Sequence, residues 1–358
     1  MASDILRIVL LVLGYAIVLV SLIPLVRKDN WVFRVFEYPR SQKLLLNAII
    51  LLVFTFVARW DSLHDIIFST VLCLNLFYLL YQVVPYTVVG RKQMKKQKQS
   101  ETGKYFKLLI CNVYQYNRRS DLCLACIQEH DPDLLLLVET DEWWNEQLSA
   151  LRDIYTHNVL KPLNNTYGML LHSRFELMDP QVKYLVESDV PSIHTRVRLP
   201  SGDVFRLYCL HPRPPIPQES ARSTERDGEL LIVARDAKES DIPVVVAGDL
   251  NDVAWSYTTE LFLKTSELLD PRRGRGFFNT FHADHWFLRW PLDHVFCSRH
   301  FLLRDLKRLK PMGSDHFPIL VELGLPAKAE KQKAQSQHVL RADHDEEEQA
   351  QEKIAKVR

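Results

Sequence analysis

Residues 244–251 read Val-Val-Val-Ala-Gly-Asp-Leu-Asn, an apolar run that ends in a glycine, an acid and an amide. A short β-branched run closed by a turn glycine is the pattern of a buried strand, and the polar residues then stand at its rim. The same arrangement recurs through the middle of the chain. The run 106–111 leads to Asn112, 134–138 to Glu139, and 205–210 to His211. Leu292 precedes Asp293-His294, and Gly313-Ser314-Asp315-His316 precedes the apolar run 317–321. Strand ends in a layered α/β fold converge on one rim. Asn112, Glu139, His211, Asp249, Asn251, Asp293, Asp315 and His316 are therefore expected to share one pocket.

The surrounding pattern supports that fold class. Strands are expected at 106–111, 133–138, 168–171, 193–197, 205–210, 244–247, 294–297 and 317–321, and helices at 120–130, 142–151, 220–238 and 257–268. Asp131-Pro132 ends the first helix, since proline cannot continue it. Several later strands follow one another with no helix between. This favours mixed or antiparallel sheets over a simple doubly wound sheet.

The side chains at the rim suit one kind of chemistry. Carboxylate and amide oxygens are hard ligands, matched to Mg²⁺ or Mn²⁺ and poorly matched to a structural zinc. Such a cation engages phosphate oxygens and offsets charge on a departing oxygen. A histidine held by a carboxylate can orient or deprotonate water, and Asp293 with His316 fits that pairing. Each piece alone is an ordinary turn, cap or surface acid; the joint occurrence in this order is what marks a site. Arg213 follows His211, and Arg272, Arg273 and Arg275 lie in a glycine-containing loop. These arginines are candidates for gripping phosphate, against the plainer reading of a solvated loop.

Charge and hydropathy divide the chain. Residues 1–104 carry 13 basic and 6 acidic side chains, 105–325 carry 25 and 31, and 326–358 carry 7 of each. A domain that grips duplex nucleic acid shows a basic excess, so the acidic middle argues against long duplex substrates. The six cysteines are scattered. Cys123 and Cys126 lack a second pair, and no structural disulfide is expected.

Three apolar runs open the chain, at 8–26, 44–58 and 66–90. A spanning helix needs about 17–25 residues. The first and third suffice; the second is short but flanked by Lys43, Arg59 and Trp60, which suit an interface. A cleavable leader is disfavoured by the absence of a strongly basic start and of a small-residue cleavage site. Arg27, Lys28, Arg34, Arg40 and Lys43 follow the first run, and Arg91, Lys92, Lys95, Lys96 and Lys98 the third. Positive charge stays in the cytoplasm. Three spans thus put the amino terminus outside and the acidic domain in the cytoplasm, as a multi-pass membrane protein with the lipid bilayer as partner. The expected organisation is a membrane anchor at 1–90, a basic linker at 91–104, a catalytic domain at 105–325 and a charged tail at 326–358, disordered or a solvated helix.

The chain resembles the endonuclease/exonuclease/phosphatase superfamily, which includes pancreatic deoxyribonuclease, apurinic endonucleases, inositol polyphosphate 5-phosphatases and neutral sphingomyelinases. The resemblance covers about 107–322. It rests on Asn112, Glu139 in LLLLVET, Tyr167-Gly168, His211, GDLN at 248–251, LDHVF at 292–296 and GSDHFPIL at 313–320. The N-terminal spans, the loop WVFRVFEYPRSQ, and the stretches LHPRPP, GRGFFNTF and FLRWPLDHVF resemble an uncharacterised bacterial membrane-bound branch, which implies the inner membrane. The resemblance implies a four-layer α/β sandwich with two central mixed β-sheets. It implies Mg²⁺ or Mn²⁺ on Glu139 and Asn112, with Asp315 close to or on it. Asp249 and Asn251 would act on water and phosphate, His211 on phosphate or leaving group, and His316 with Asp293; Tyr167, Arg213, Arg272 and Arg273 would meet substrate. The family usually has glutamine before the glutamate, and here it is Val138. The implied activity is hydrolysis of a phosphodiester or phosphomonoester, lipid or lipid-linked by virtue of the tether. A nuclease is the alternative substrate class. An inactive membrane scaffold is the non-enzymatic alternative, disfavoured because every rim residue is kept.

Overall fold

The computed structural model describes residues 2–97, 105–326 and 330–358. Among the described residues eleven strands form two sheets. The first holds β1 (Tyr105–Asn112), β2 (Leu134–Val138), β3 (His157–Lys161), β4 (Met169–Ser173), β10 (Leu302–Arg308) and β11 (Ile319–Gly324), in the order β10-β11-β1-β2-β4-β3. The second holds β5 (Glu176–Lys183), β6 (Ser192–Arg198), β7 (Val204–Leu210), β8 (Val244–Asp249) and β9 (Asp293–Cys297), in that order. Within each sheet one pair is parallel, β1 with β2 and β7 with β8, and the rest are antiparallel.

The strand period of two sorts the core. Phe106, Leu108 and Ile110 of β1 face Leu207, Cys209, Val245 and Ala247 between the sheets. Leu109 and Cys111 face outward onto Cys123 and Ile127 of α5 (Ser120–His130) and Trp144 of α6 (Glu142–Gln147). On the other side Tyr208 and Val246 meet Leu230 and Val233 of α7 (Thr224–Lys238) and Phe262 of α8 (Tyr257–Ser266). The result is the expected four-layer α/β sandwich. Helix α5 stops at Asp131, a left-handed residue (φ 47°) just before Pro132.

Ahead of the sandwich stand α1 (Ala2–Leu22), α2 (Trp31–Arg34), α3 (Arg40–Phe54) and α4 (Leu63–Val83). Asn75 Nδ2 donates to Asn47 Oδ1 at 2.9 Å, while Arg7 pairs with Asp65 at the far end. These contacts make α3 antiparallel to α1 and α4, an up-down-up bundle whose near end meets the sandwich. Two segments, Ala2–Val26 and Leu63–Tyr86, are long and apolar enough to cross a membrane. The expected second span is not one of these two, although α3, antiparallel between two parallel helices, is what returns the chain across if both of them cross. Its 15-residue helix reaches about 22 Å against a hydrocarbon core of about 30 Å. It starts back at Arg40, with Lys43 and Asn47 buried inside the bundle.

Two flanking segments depart from the expected linker and tail. Residues 91–97 are docked: Met94 is buried between the sheets, and Gln97 N donates to Leu303 O at 2.9 Å along the β10 edge. Residues 98–104 of the expected linker and 327–329 of the expected tail lie outside the described residues. The rest of the tail folds as α9 (Lys331–Gln335) and α10 (His344–Ala355). A capping box of Asp343 and Glu346 starts α10. Ala350 and Ile354, on one helical face, bury against Leu231 and Leu261. The tail's high charge masked this narrow apolar stripe.

Candidate active site

Strand parity aims most of the site. In β1, β7, β8 and β9 the inward-facing positions are those two apart from Ile110, Cys209, Ala247 and Val295. The next inward positions at the rim are Asn112, His211, Asp249 and Asp293, all buried. Glu139 lies one residue past Val138, where the regular alternation would turn it away. It adopts a left-handed backbone instead (φ 60°), and its carboxylate meets the same cluster. Gly248 is required beside it: a Cβ there would lie 1.9 Å from Leu210 O, and φ is 145°.

The polar groups form one connected set. Asn112 Nδ2 donates to Glu139 Oε1 at 2.7 Å and to Asp249 Oδ2 at 3.0 Å. Asp249 Oδ1 accepts from Asn251 N at 2.9 Å. His316 places Nδ1 2.8 Å from Asp293 Oδ2 and Nε2 3.6 Å from Asp249 Oδ2. His211 Nε2 lies 4.0 Å from Asp249 Oδ2, and its ring sits 5.4 Å from that of Tyr167. Asn251, also left-handed (φ 50°), donates its side-chain amide to Pro212 O at 3.0 Å. Asp315 is half-buried beside His316, and Ser314 Oγ donates to its carboxylate at 3.3 Å.

Burial sets the electrostatics. The Glu139 carboxyl is pushed up to about 7, by burial first, against the Asn112 hydrogen bond and the His316 charge. The Asp249 carboxyl is raised for the same first reason, with Asp293 adding repulsion. His211 is lowered to about 3 by burial and His316. For His316 burial opposes the charge, but Asp293 and Asp249 outweigh it and raise the imidazole to about 10. An imidazolium thus stands beside a neutral imidazole and three acids.

Glu139, His211 and Asp249 offer ligand atoms within 4.8 Å of one another, as do Asp249, Asp293 and His316. His211 Nδ1 and Asp293 Oδ1 are buried with no hydrogen-bond partner among the described residues. Buried polar atoms left this way point to a missing partner. Oxygen-rich donors with raised carboxyl pKa values fit a hard divalent cation.

A family model described as "Endonuclease/Exonuclease/phosphatase family" matches residues 109–316, more than half of the chain. The chain belongs to the endonuclease/exonuclease/phosphatase family. Among curated proteins none matches its sequence. Solved structures of similar fold include an endonuclease/exonuclease/phosphatase from Beutenbergia cavernae, 17% identical, covering 63% of this chain and 72% of that one with a TM-score of 0.50. The human nocturnin catalytic domain with a bound sulfate anion is 17% identical, covering 62% and 95%, TM-score 0.50. D. rerio TDP2 complexed with single-strand DNA product is 15% identical, covering 62% and 99%, TM-score 0.50.

In this family member the sequence-predicted arginines part from the rim. Arg272 is buried in an ion pair with Asp270 at 2.8 Å and touches His294 Nδ1 at 2.6 Å. It braces the β9 strand that carries Asp293. Arg273 pairs with Glu260 and donates to Tyr86 Oη at 3.0 Å, joining α8 to the end of α4. Arg275 donates to Met94 O and Pro271 O. All three turn inward because buried acids and carbonyls lie beneath their loop, which the sequence alone does not reveal. Arg213 stays near the rim, 4.9 Å over the Tyr167 ring, but its guanidinium is held by Glu187 and Asp189 at 2.8 and 3.0 Å. Tyr167 itself bonds to Glu219.

Four further residues support the site. Gln115 N donates to Glu139 Oε2 at 3.4 Å. Arg226 Nη1 and Tyr38 Oη both donate to Asn251 O, at 2.7 and 3.1 Å. Asp252 pairs with Arg226 at 3.2 Å. Two carried a signal: Asp252 stands directly after the GDLN motif, and Arg226 lies near the start of the helix expected at 220–238, where phosphate is favoured.

Two predictions arise here. Asp293→Asn removes the anion that orients and charges His316. Turnover should fall about 10²- to 10⁴-fold, read as kcat on a soluble phosphodiester at a temperature where both proteins remain folded; unaltered kcat would take His316 out of the reaction. The second concerns pH. A raised carboxyl contributes stability below its unfolded pKa that is lost as pH rises through the folded one. The metal-free protein should therefore melt at a lower temperature at about pH 8 than at about pH 6.5, above the range where lowered histidines such as His211 act in the opposite sense, and Mg²⁺ should recover the difference by binding the ionised form. Melts in chelator and in Mg²⁺ at both pH values check this, and a Mg²⁺ effect equal at both would contradict it.

Proposed function

We propose that the protein is a membrane-anchored, divalent-metal-dependent hydrolase of phosphate esters whose substrate is a lipid or lipid-linked phosphate. The observation that carries this reading is the convergence of Asn112, Glu139, His211, Asp249, Asp293 and His316 on one rim between the sheets, with two buried polar atoms left unpartnered. Glu139, with Asn112 and Asp315 beside it, is the proposed holder of the cation; Asp249 lies within reach of the same place. When bound, Mg²⁺ or Mn²⁺ supplies charge compensation at phosphate oxygens. The protein's own groups do the rest. Asp249, fixed by Asn112 and by the Asn251 amide, is set to take the proton from the attacking water. His316, kept charged by Asp293, donates a hydrogen bond from Nε2 to the phosphoryl group. His211, neutral and packed on Tyr167, presents Nε2 to the phosphate or leaving group.

Two features favour a membrane substrate. The near end of the helical bundle touches the site directly, through Tyr38 on Asn251. The domain's excess of acids disfavours long nucleic acid. The proposed anchor is α1 and α4 as spans, with the shorter α3 between them and the sandwich on the cytoplasmic side, next to the basic flanks. The test is the full chain in detergent and in vesicles with Mg²⁺, offered phospholipids, lipid-linked phosphates, single-stranded DNA, RNA and sugar phosphates. Phosphate release from a lipid class is expected. Release of mononucleotides alone would make it a nuclease, and no turnover on any substrate would make it a scaffold.

A further inference from the structure

The loop between Thr280 and β9 carries Trp286, Phe287 and Leu288, which are 79%, 53% and 46% exposed. Three consecutive large apolar side chains on an open surface mark a contact with something apolar. The loop that presents them is braced. His282 N donates to Leu288 O at 3.1 Å, Leu288 N to His285 O at 3.1 Å, and Arg289 reaches His282 O and Ala283 O at 3.2 and 2.8 Å.

Its two feet stand in different places. One is at the catalytic rim, where Ala283 N donates to Asp315 O at 2.7 Å and the Phe281 ring lies 5.0 Å from that of His316. The other is at the helical bundle. Gln42, in the first turn of α3, donates Nε2 to Phe287 O at 2.8 Å, and Trp290 packs edge-on against Tyr38 at 5.5 Å. The loop tip is thereby held level with the near ends of α1, α3 and α4. Exposed Leu25, Val26, Val32 and Val35 lie around those ends, as do Val88 and Val89, which are 74% and 81% exposed. Basic Arg27 and Lys28 adjoin them.

We infer that Trp286, Phe287 and Leu288 form an interfacial wedge that enters the headgroup region of the same bilayer the helices cross, and that this seats the mouth of the active site against the membrane surface. The inference rests on the membrane-anchored reading above and deepens it. Tryptophan and phenylalanine beside basic residues at helix ends match the chemistry of an anionic membrane interface. The foot of the wedge loop packs directly on the segment that carries His316, so a substrate phosphate presented at headgroup depth is next to His316 without leaving the bilayer.

The experiment reads position rather than activity. The full chain and its Trp286→Phe variant are reconstituted into vesicles of phosphatidylcholine with a minority of phosphatidylglycerol, and the difference in their emission isolates Trp286. Phosphatidylcholine brominated near the headgroup end of its chains should quench most of that difference, and aqueous acrylamide little of it. Quenching by acrylamide and not by bromolipid would overturn the inference while leaving the anchor intact. Shielding from both, as under a second protein, would overturn it too. A chain that washes off the vesicles under alkaline carbonate would take the anchored reading down with it.

Discussion

Glu139→Gln is expected to lower Mg²⁺-dependent hydrolysis of bis(p-nitrophenyl) phosphate by the full chain at least about a thousandfold. A metal-held phosphoryl oxygen contributes several kcal/mol to the transition state, and about 4 kcal/mol is a factor of about 10³. Glutamine keeps the size of the side chain and can still bond to Asn112, so the fold should hold. It also removes a buried ionisable group whose carboxyl is raised to about 7. The metal-free variant should therefore melt at or above the parent's temperature at about pH 8. Lost activity with intact melting is the signature of a ligand residue. Activity within tenfold of the parent would mean that the cation is held elsewhere.

A fragment covering residues 105–325 should fail to fold, although it spans both sheets. Asp227 on α7 is fully buried. Its carboxylate accepts from Arg34 Nη2 at 3.0 Å, Lys353 Nζ at 2.8 Å and Arg226 Nη2 at 2.9 Å. Those cations hold it well below the usual carboxylate range despite burial. The fragment lacks two of the three. Breaking one buried pair costs about 3–5 kcal/mol, against a total stability of about 5–15 kcal/mol. It also loses Met94 from between the sheets, and Glu37, which caps α8 through Tyr257 N at 3.0 Å. In the full chain, Asp227→Ala should cost a similar 3–5 kcal/mol or about 10 °C of melting temperature. A soluble, cooperatively melting fragment would show that the N-terminal loop and the tail are ornaments on an independent domain.

How much of this was written in the sequence follows from where each element sits. The strands read correctly are mostly interior ones, whose apolar runs are long because both faces are covered. The three missed strands, β3, β5 and β10, are all sheet edges. Glu176–Lys183 and Leu302–Arg308 carry charged residues throughout, as edges do when they must resist pairing with another chain. The rim residues were legible because each stands at one end of an apolar run. Glu139 was legible only by position, since its aim depends on a left-handed backbone that no pattern encodes. The arginines misled because a basic loop beside a site looks alike whether its side chains reach out or fold back. Arg272 folds back onto Asp270, two residues before it, and Arg273 onto Glu260, which the fold brings near; neither pairing shows in the loop's basic pattern. Tyr38 was invisible for the converse reason: its acceptor, Asn251 O, is a backbone atom, and Arg226, at the start of an expected helix, donates to that same atom.

The most direct test of the account is where a divalent cation binds. Crystals of the full chain soaked in Mn²⁺ and measured at the manganese edge should give an anomalous peak within ligand distance of Glu139, in the cluster with Asn112 and Asp249. If the only peak lies elsewhere, for example at the exposed group of His344, Asp345 and Glu348, the acids between the sheets are not a metal site and the hydrolytic mechanism built on them is wrong.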